Sequence, residues 1–128
     1  MDDRGIQTYK DLAVWQKAMR LAVSCYKLTI DFPREELYGM TAQIRRSSVS
    51  VAANIAEGHG REHTKSFIQF LRVAQGSLKE LETHLLLSEQ VGLTASERLG
   101  PLYGAADEVG RMLRALIRSL QARLGKFE

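Results

Sequence analysis

Residues 67–85 read FIQFLRVAQGSLKELETHL, and this stretch decides the fold class. Apolar or small residues recur in it every three or four positions, at Phe67, Leu71, Ala74, Leu78, Leu81 and Leu85. A step that averages 3.5 residues keeps one stripe of a helix facing a partner helix at a shallow crossing angle. The stretch therefore predicts a long α-helix that packs in a bundle.

Three more apolar ladders with the same spacing occupy the rest of the chain. The first ladder comprises Leu12, Trp15, Met19, Ala22, Tyr26 and Ile30. The second comprises Leu37, Met40, Ile44, Ser48, Val51 and Ile55. The last comprises Leu99, Leu102, Ala106, Val109, Leu113, Leu116 and Leu120. Four ladders in a row predict four helices.

Helix-ending residues separate the first three ladders. Phe32 precedes Pro33, and a residue before proline avoids the α conformation, so the first helix should end there. Gly58, His59 and Gly60 should end the second helix, with Gly58 as its left-handed cap. Thr64 is the expected N-cap of the third helix.

The last link combines a stop signal and a start signal. Gly92 should end the third helix, and Thr94 with Glu97 matches the T-x-x-E capping box of a fourth. Pro101 lies inside that helix, where it predicts either a kink or a short turn before the main helix.

These signals predict an all-α chain that forms one domain over residues 1–128. The expected helices span about residues 10–31, 35–57, 65–91 and 95–124. Links of a few residues force neighbouring helices to run antiparallel, which gives an up-down-up-down four-helix bundle.

The composition is that of an ordinary globular protein. Of 128 residues, 45% are hydrophobic and 26% are charged, which is typical of a folded domain rather than a disordered chain. One cysteine, Cys25, cannot form an internal disulfide, and the acidic start MDDRGIQ does not resemble a signal peptide. No run approaches the ~18 apolar residues of a membrane span. We therefore expect a cytoplasmic protein with no membrane partner.

The first helix has more apolar surface than a bundle of four helices needs. A second stripe lies beside its first ladder and comprises Val14, Ala18, Leu21, Cys25 and Leu28. One stripe a little over 100° wide is enough for a surface helix of a bundle. We interpret the second stripe as the interface of an oligomer, the alternative being that this helix is more central than the others.

The second helix contains the least ordinary stretch, QIRRSSVSVAANIAEG, at residues 43–58. Its small side chains would let another helix approach closely. Glu57 in the last turn opposes the helix dipole, so it should have a partner among Arg46, Arg61 and Arg72. Asn54 should be hydrogen-bonded if it is buried.

Two adjacent arginines lie near the start of this stretch, and the sequence does not decide between two possible roles for them. Arg45 and Arg46 either point into solvent or pair with an acid such as Glu57, Glu80 or Glu82. Because adjacent residues lie 100° apart on a helix, the two roles can coexist. We favour a structural role for at least one of these arginines, as for Asn54, Glu57 and Gly58.

The residues required for catalysis or metal binding are not combined in a recognisable motif. His84 follows Glu82 by two residues rather than the three of a di-iron Glu-x-x-His pair. His59 and His63 are separated by an expected turn, and no nucleophile motif or phosphate loop occurs. We expect no enzyme activity, no cofactor and no metal.

Basic residues give a second candidate site. Arg111, Arg114 and Arg118 form one stripe on the fourth helix, and Arg61, Lys65 and Arg72 form a group near the start of the third. Either group could contact nucleic-acid phosphates with little sequence specificity, and a solvated face without a partner is the alternative.

Three segments carry a resemblance to a known family. YKDLAVWQKA, QIRRSSVSVAANIAEG and FIQFLRVAQGSLKELETHL together resemble the four-helix-bundle proteins encoded by intervening sequences of bacterial 23S rRNA genes, over roughly residues 8–121. That family is similar to the accessory proteins of diversity-generating retroelements. The resemblance implies a homopentameric ring that works with RNA or DNA and with a reverse transcriptase encoded nearby. It implies no established activity.

Two functions follow as hypotheses. The first is a homo-oligomeric scaffold or accessory protein that binds RNA or DNA. The second is a structural or protein-interaction oligomer without a nucleic-acid partner.

Overall fold

The computed structural model describes residues 5–127, with side chains through residue 125, and it is all-α as predicted. The described residues form four α-helices and no strand, consistent with a four-helix bundle. The helices are α1 (Ala13–Thr29), α2 (Met40–Gly60), α3 (Thr64–Gln90) and α4 (Ser96–Phe127). Among the described residues, no helix is both long and apolar enough to cross a membrane.

Each helix contacts two others. Helix α1 packs against α2 and α4, and α3 packs against the same two helices. In the described part of the chain, α1 does not contact α3, and α2 does not contact α4. The groove between α1 and α2 and the groove between α3 and α4 therefore lie on opposite sides of the four helices.

Short 3-10 turns replace the predicted starts of α1 and α2. Residues Tyr9–Asp11 form a 3-10 turn in which the Asp11 carboxylate accepts backbone N–H groups of Thr8 and Gln7. These hydrogen bonds lower the pKa of Asp11, that from Thr8 most. A second turn, Arg34–Glu36, follows Pro33, and α2 begins only at Met40, whose N–H donates to the Glu36 carboxylate. The predicted start of the second helix at residue 35 is therefore five residues too early.

The link between α2 and α3 contradicts two sequence predictions. Helix α2 continues through Gly58 to Gly60, and the left-handed residue is Glu62, with φ of 57°. Gly58 is instead needed for close packing, because an added Cβ would lie 2.7 Å from Phe70 Cβ. Thr64 is the first residue of α3, and His63 occupies the N-cap position.

Of the two predictions for the link between α3 and α4, the helix end at Gly92 is confirmed and the capping box is wrong. Gly92 ends α3 with φ of 79°, in the left-handed region that favours glycine. The capping box is wrong: α4 begins at Ser96, and the buried Thr94 hydroxyl has no hydrogen-bond partner among the described residues. Helix α4 continues through Pro101 without a separate turn, although Pro101 has no N–H to donate to the carbonyl of Glu97.

The buried residues confirm the predicted α3 ladder, but they contradict the role predicted for the second stripe of α1. All six residues of the α3 ladder are buried. The predicted oligomer interface is wrong, because its residues have exposed fractions of only 0–4% within the single chain: Val14, Ala18, Leu21, Cys25 and Leu28. Side chains already buried among α1, α2 and α4 cannot contact another copy.

The other α1 stripe has the exposed apolar surface instead. Met19, Tyr26 and Ile30 are 39%, 42% and 71% exposed. Helix α1 thus has the excess apolar surface that the sequence indicates. This surface lies on the first ladder rather than on the second stripe, where it was predicted.

Candidate functional site

A cation-lined groove runs between α3 and α4. One section has a volume of about 210 Å³ and is lined by Arg72, Gln75, Arg114, Ile117, Arg118 and Gln121. The adjoining section, about 300 Å³, shares Gln75 and Arg114 and adds Leu78, Lys79 and Gly110. We call these two sections the basic groove.

The two helices place the arginines of the basic groove by simple periodicity. Arg114 and Arg118 are one turn apart on α4, about 6 Å along the axis, and Arg72 faces them from α3. Gly110 lies beside Leu78 of α3, and a Cβ at this position would be 3.4 Å from Leu78 Cδ2 and 3.8 Å from Arg114 Nη1, which is ordinary van der Waals contact.

The electrostatics of the basic groove favour an anion. None of the described residues that line it is acidic. Within the described chain, the guanidinium groups of Arg72, Arg114 and Arg118 also lack a hydrogen bond or an ion pair. Three unneutralised arginines around one cleft raise the local positive potential and leave N–H donors available.

The other predicted basic residues do not belong to this group. Arg61 Nη2 lies 2.7 Å from Glu57 Oε2, and the Arg61 guanidinium lies 5.0 Å from the Phe70 ring centroid. Arg111 pairs with Asp107 at 3.1 Å, as the spacing of four residues allows. Lys65 is not among the residues that line the basic groove, and its side chain interacts elsewhere. The structure therefore combines two residues of the predicted α4 cluster with one residue of the other cluster in one site.

Sequence reasoning missed Lys79 and the uncharged part of this site. Gln75, Gln121 and Gly110 complete the basic groove, but nothing in a linear sequence aligns residue 75 with residue 114. The only available signal was the polar or small residue type on faces opposite the apolar ladders.

An apolar groove lies on the opposite side, between α1 and α2. It has a volume of about 510 Å³ and is lined mainly by aliphatic and aromatic side chains: Tyr9, Trp15, Met19, Ala22, Val23, Tyr26, Lys27, Ile30, Val49, Ala52, Ala53 and Ala56. Tyr9 and Trp15 meet edge to face at 5.2 Å and form one end of this apolar groove.

The motif residues of α2 have structural contacts. Asn54 Nδ2 donates to the Ser50 carbonyl at 2.8 Å, as expected for a half-buried amide. Glu57 has the predicted arginine partner in Arg61, although both side chains are 54% exposed. An exposed pair one turn apart contributes only about 0.3–0.5 kcal/mol. Arg46 is exposed.

Arg45 has a defined structural role and no acidic partner in the described chain. Its Nε donates to Thr29 Oγ1 at 2.9 Å, and its guanidinium carbon lies 4.6 Å from the Tyr26 ring centroid. These contacts join α2 to the end of α1.

Two reactive side chains, Cys25 and His84, lie in contacts between helices. Burial raises the pKa of Cys25 to about 12, so its thiol stays protonated and weakly nucleophilic at neutral pH. His84 Nδ1 lies 3.4 Å from Ser47 Oγ, in the α2–α3 contact. Within residues 5–125, no three His, Cys, Asp or Glu side chains lie close enough together to hold a metal ion.

These features define a small all-α protein with four helices, an apolar groove on one side and a basic groove on the other. The chain belongs to the 23S rRNA-intervening sequence protein family, whose model matches residues 10–115. This finding confirms the family resemblance found in the sequence.

A solved structure supports the same assignment. The chain is similar to a protein with unknown function from the S23 ribosomal protein family of Bacteroides thetaiotaomicron VPI-5482, with a TM-score of 0.73 and 26% identity over 82% of this chain and 98% of that one. No curated protein matches this chain significantly.

Proposed function

We propose that this protein is a non-enzymatic, cytoplasmic homo-oligomeric scaffold that binds the phosphate backbone of RNA or DNA in its basic groove. The observation that carries the proposal is the convergence of Arg72, Arg114 and Arg118 on one cleft whose described lining contains no acidic residue. By contrast, Arg61 and Arg111 each pair with an acid one turn away on the same stretch of chain.

The chemistry of the basic groove suits phosphodiesters. Guanidinium groups match phosphate oxygens with two parallel hydrogen bonds, and the amides of Gln75 and Gln121 add uncharged donors. The described lining contains no aromatic side chain to stack on bases. Binding should therefore depend on charge and salt far more than on base sequence.

Self-assembly is supported by the apolar groove. Monomeric proteins rarely expose a continuous apolar patch of this kind without a partner. Because this groove and the basic groove lie on opposite sides of the four helices, a copy bound in the apolar groove does not cover the basic groove of the same chain. The family's likeness to accessory proteins of diversity-generating retroelements favours five copies in a closed ring, with a reverse transcriptase as a candidate partner.

The contacts between helices support an up-down-up-down arrangement within each copy. Ser47 contacts His84 and Ser50 contacts Ser77, so numbers rise along α2 as they fall along α3. The pairs Lys17–Glu108 and Asp31–Arg98 relate the α1 region to α4 in the same way. We infer that adjacent helices run antiparallel.

A second candidate function is a protein-interaction oligomer without nucleic acid. The apolar groove favours it, because a protein partner suffices to cover aliphatic and aromatic side chains. In this case the basic groove contributes to solubility alone.

Salt-dependent binding separates the two functions. We expect a 20-base-pair duplex to bind in 50 mM NaCl with a log–log salt slope that scales at about −0.9 per phosphate contact. Changing Arg72, Arg114 and Arg118 together to glutamine should reduce the slope by about 2.7 per chain engaged. Fluorescence anisotropy from 50 to 200 mM NaCl measures both slopes.

A matched control removes the same charge elsewhere. Replacing the exposed Arg20, Arg34 and Arg46 by glutamine also lowers the formal net charge of +3 to zero. This variant should keep most of the slope if the basic groove is the binding site. Absence of binding at 50 mM NaCl would leave the protein-interaction oligomer, and equal losses in both triple variants would remove the basic groove as the site.

A further inference from the structure

One face of helix α3 has exposed apolar residues towards both of its ends, and neither groove includes them. Val73, Leu87 and Val91 are 45%, 45% and 60% exposed, and Gly76 and Glu80 lie between them. Separations of three, four and seven residues place all five on one face of the helix. We call these five residues the α3 ridge.

Glu80, near the middle of the α3 ridge, has an unpaired carboxylate. Neighbouring acids are paired, as Glu82 is with Lys79 at 3.1 Å and Glu89 is with the Tyr103 hydroxyl at 2.9 Å. Among residues 5–125, Glu80 has neither an ion pair nor a hydrogen bond from its side chain. An unpaired acid on a helix face with apolar residues to either side of it suits a partner surface that is apolar and has one cation.

Arg45 offers that cation at the apolar groove. Its contacts with Thr29 and Tyr26 fix the guanidinium beside Tyr26 and Ile30, at the α1 C-terminal end of the groove. Its two terminal nitrogens have no acceptor in the described part of the chain. A half-buried arginine held in one orientation loses little side-chain entropy when a carboxylate binds it.

We propose that the α3 ridge of one copy packs into the apolar groove of the next copy, with Glu80 against Arg45. This proposal rests on the self-assembly proposed above and names the surfaces that form the contact. With Glu80 against Arg45 at one end of the groove, the longer arm of the ridge, from Glu80 to Val91, covers about 16 Å and fits along the groove, which runs about 22 Å from Trp15 to Ile30 at 1.5 Å per residue.

Charge and shape agree with this assignment. Residues 80–100 have one basic and four acidic side chains, whereas Lys27 and Arg45 border the apolar groove. Small residues lie on both surfaces, Gly76 on the ridge and Ala53 and Ala56 in the groove, so the backbones can approach closely. Because ridge and groove are different surfaces, the contact is head-to-tail, which generates rings when it closes.

A charge exchange tests the pairing. Glu80→Arg and Arg45→Glu should each weaken association roughly tenfold or more, because each places like charges together in the contact. The double variant, which carries both changes, should recover the mass of the wild-type assembly. Light scattering coupled to size exclusion at micromolar concentration gives the mass, and circular dichroism verifies that the helices remain.

The controls keep this result separate from folding and from self-assembly itself. Arg46→Glu changes the adjacent exposed arginine and should leave the mass unaltered. Glu80→Arg is decisive if Arg45→Glu fails to fold, since Glu80 has no contact to lose within the described chain. A monomeric wild type would overturn self-assembly altogether. An assembled wild type whose Glu80→Arg variant is equally assembled, or whose double variant fails to reassemble, would overturn this contact alone.

Discussion

Replacement of Gly58 by alanine tests the close approach of α2 and α3. An alanine Cβ at this position would lie 2.7 Å from Phe70 Cβ and 3.0 Å from Phe67 Cδ1. Carbon atoms pack best at about 3.5–4.0 Å, so the contact must open by about 1 Å. Phe70 Cβ is fixed to the backbone of α3, and the strain cannot be relieved by a side-chain rotation.

Two effects of opposite sign determine how much Gly58→Ala changes the free energy of unfolding. Overpacking of this kind costs about 1–3 kcal/mol, while alanine gains up to about 1 kcal/mol over glycine inside a helix. Gly104→Ala is the matched control, because Gly104 lies within α4 and an added Cβ would meet no heavy atom within 4 Å. The propensity gain is common to both variants, so Gly58→Ala should be less stable than Gly104→Ala by about 1–3 kcal/mol.

Urea unfolding followed by circular dichroism at 222 nm measures the difference. All variants should be compared at one protein concentration, because assembly makes the midpoint concentration-dependent. If Gly58→Ala were as stable as Gly104→Ala, the close packing of α2 on α3 would not depend on this glycine, and our explanation of Gly58 as a packing residue would be wrong.

Two further predictions concern α1. Leu21→Ala should destabilise the protein by about 2–5 kcal/mol because Leu21 is 1% exposed. The half-exposed control Leu86→Ala should change stability by about 0.5 kcal/mol or less, and similar losses in urea would place Leu21 outside the core. Because burial raises the pKa of Cys25 to about 12, the unfolded chain releases this proton first, and the free energy of unfolding should fall as the pH rises from about 9 towards 12. A thiol reagent at pH 8 should label Cys25 only as urea unfolds the chain, and rapid labelling in buffer alone would contradict its burial.

The sequence by itself determined the helices and most of the core. Period-3.5 spacing on α3 was sufficient, since every ladder residue from Phe67 to Leu85 is buried. Gly92 was identifiable as a helix end because its left-handed conformation favours glycine. The Glu57–Arg61 pair was likewise among the local options, because one helical turn separates the two residues.

Errors arose where two local signals were equally good. Gly58 and Gly92 both resemble helix caps, but only contact with α3 shows that Gly58 is inside α2 and is required by Phe67 and Phe70. Thr94 matches a capping box, but α4 begins beyond it at Ser96.

The tertiary structure alone decided which stripe of α1 is internal. Val14, Leu21 and Leu28 are no more apolar than Trp15 and Ile30, so burial depends on where α2 and α4 lie around the helix. The basic groove has the same origin, because Arg72 meets Arg114 and Arg118 only when α3 packs beside α4. Periodicity specifies the faces of a single helix, whereas the pairing of faces from distant segments is set by packing of the whole chain.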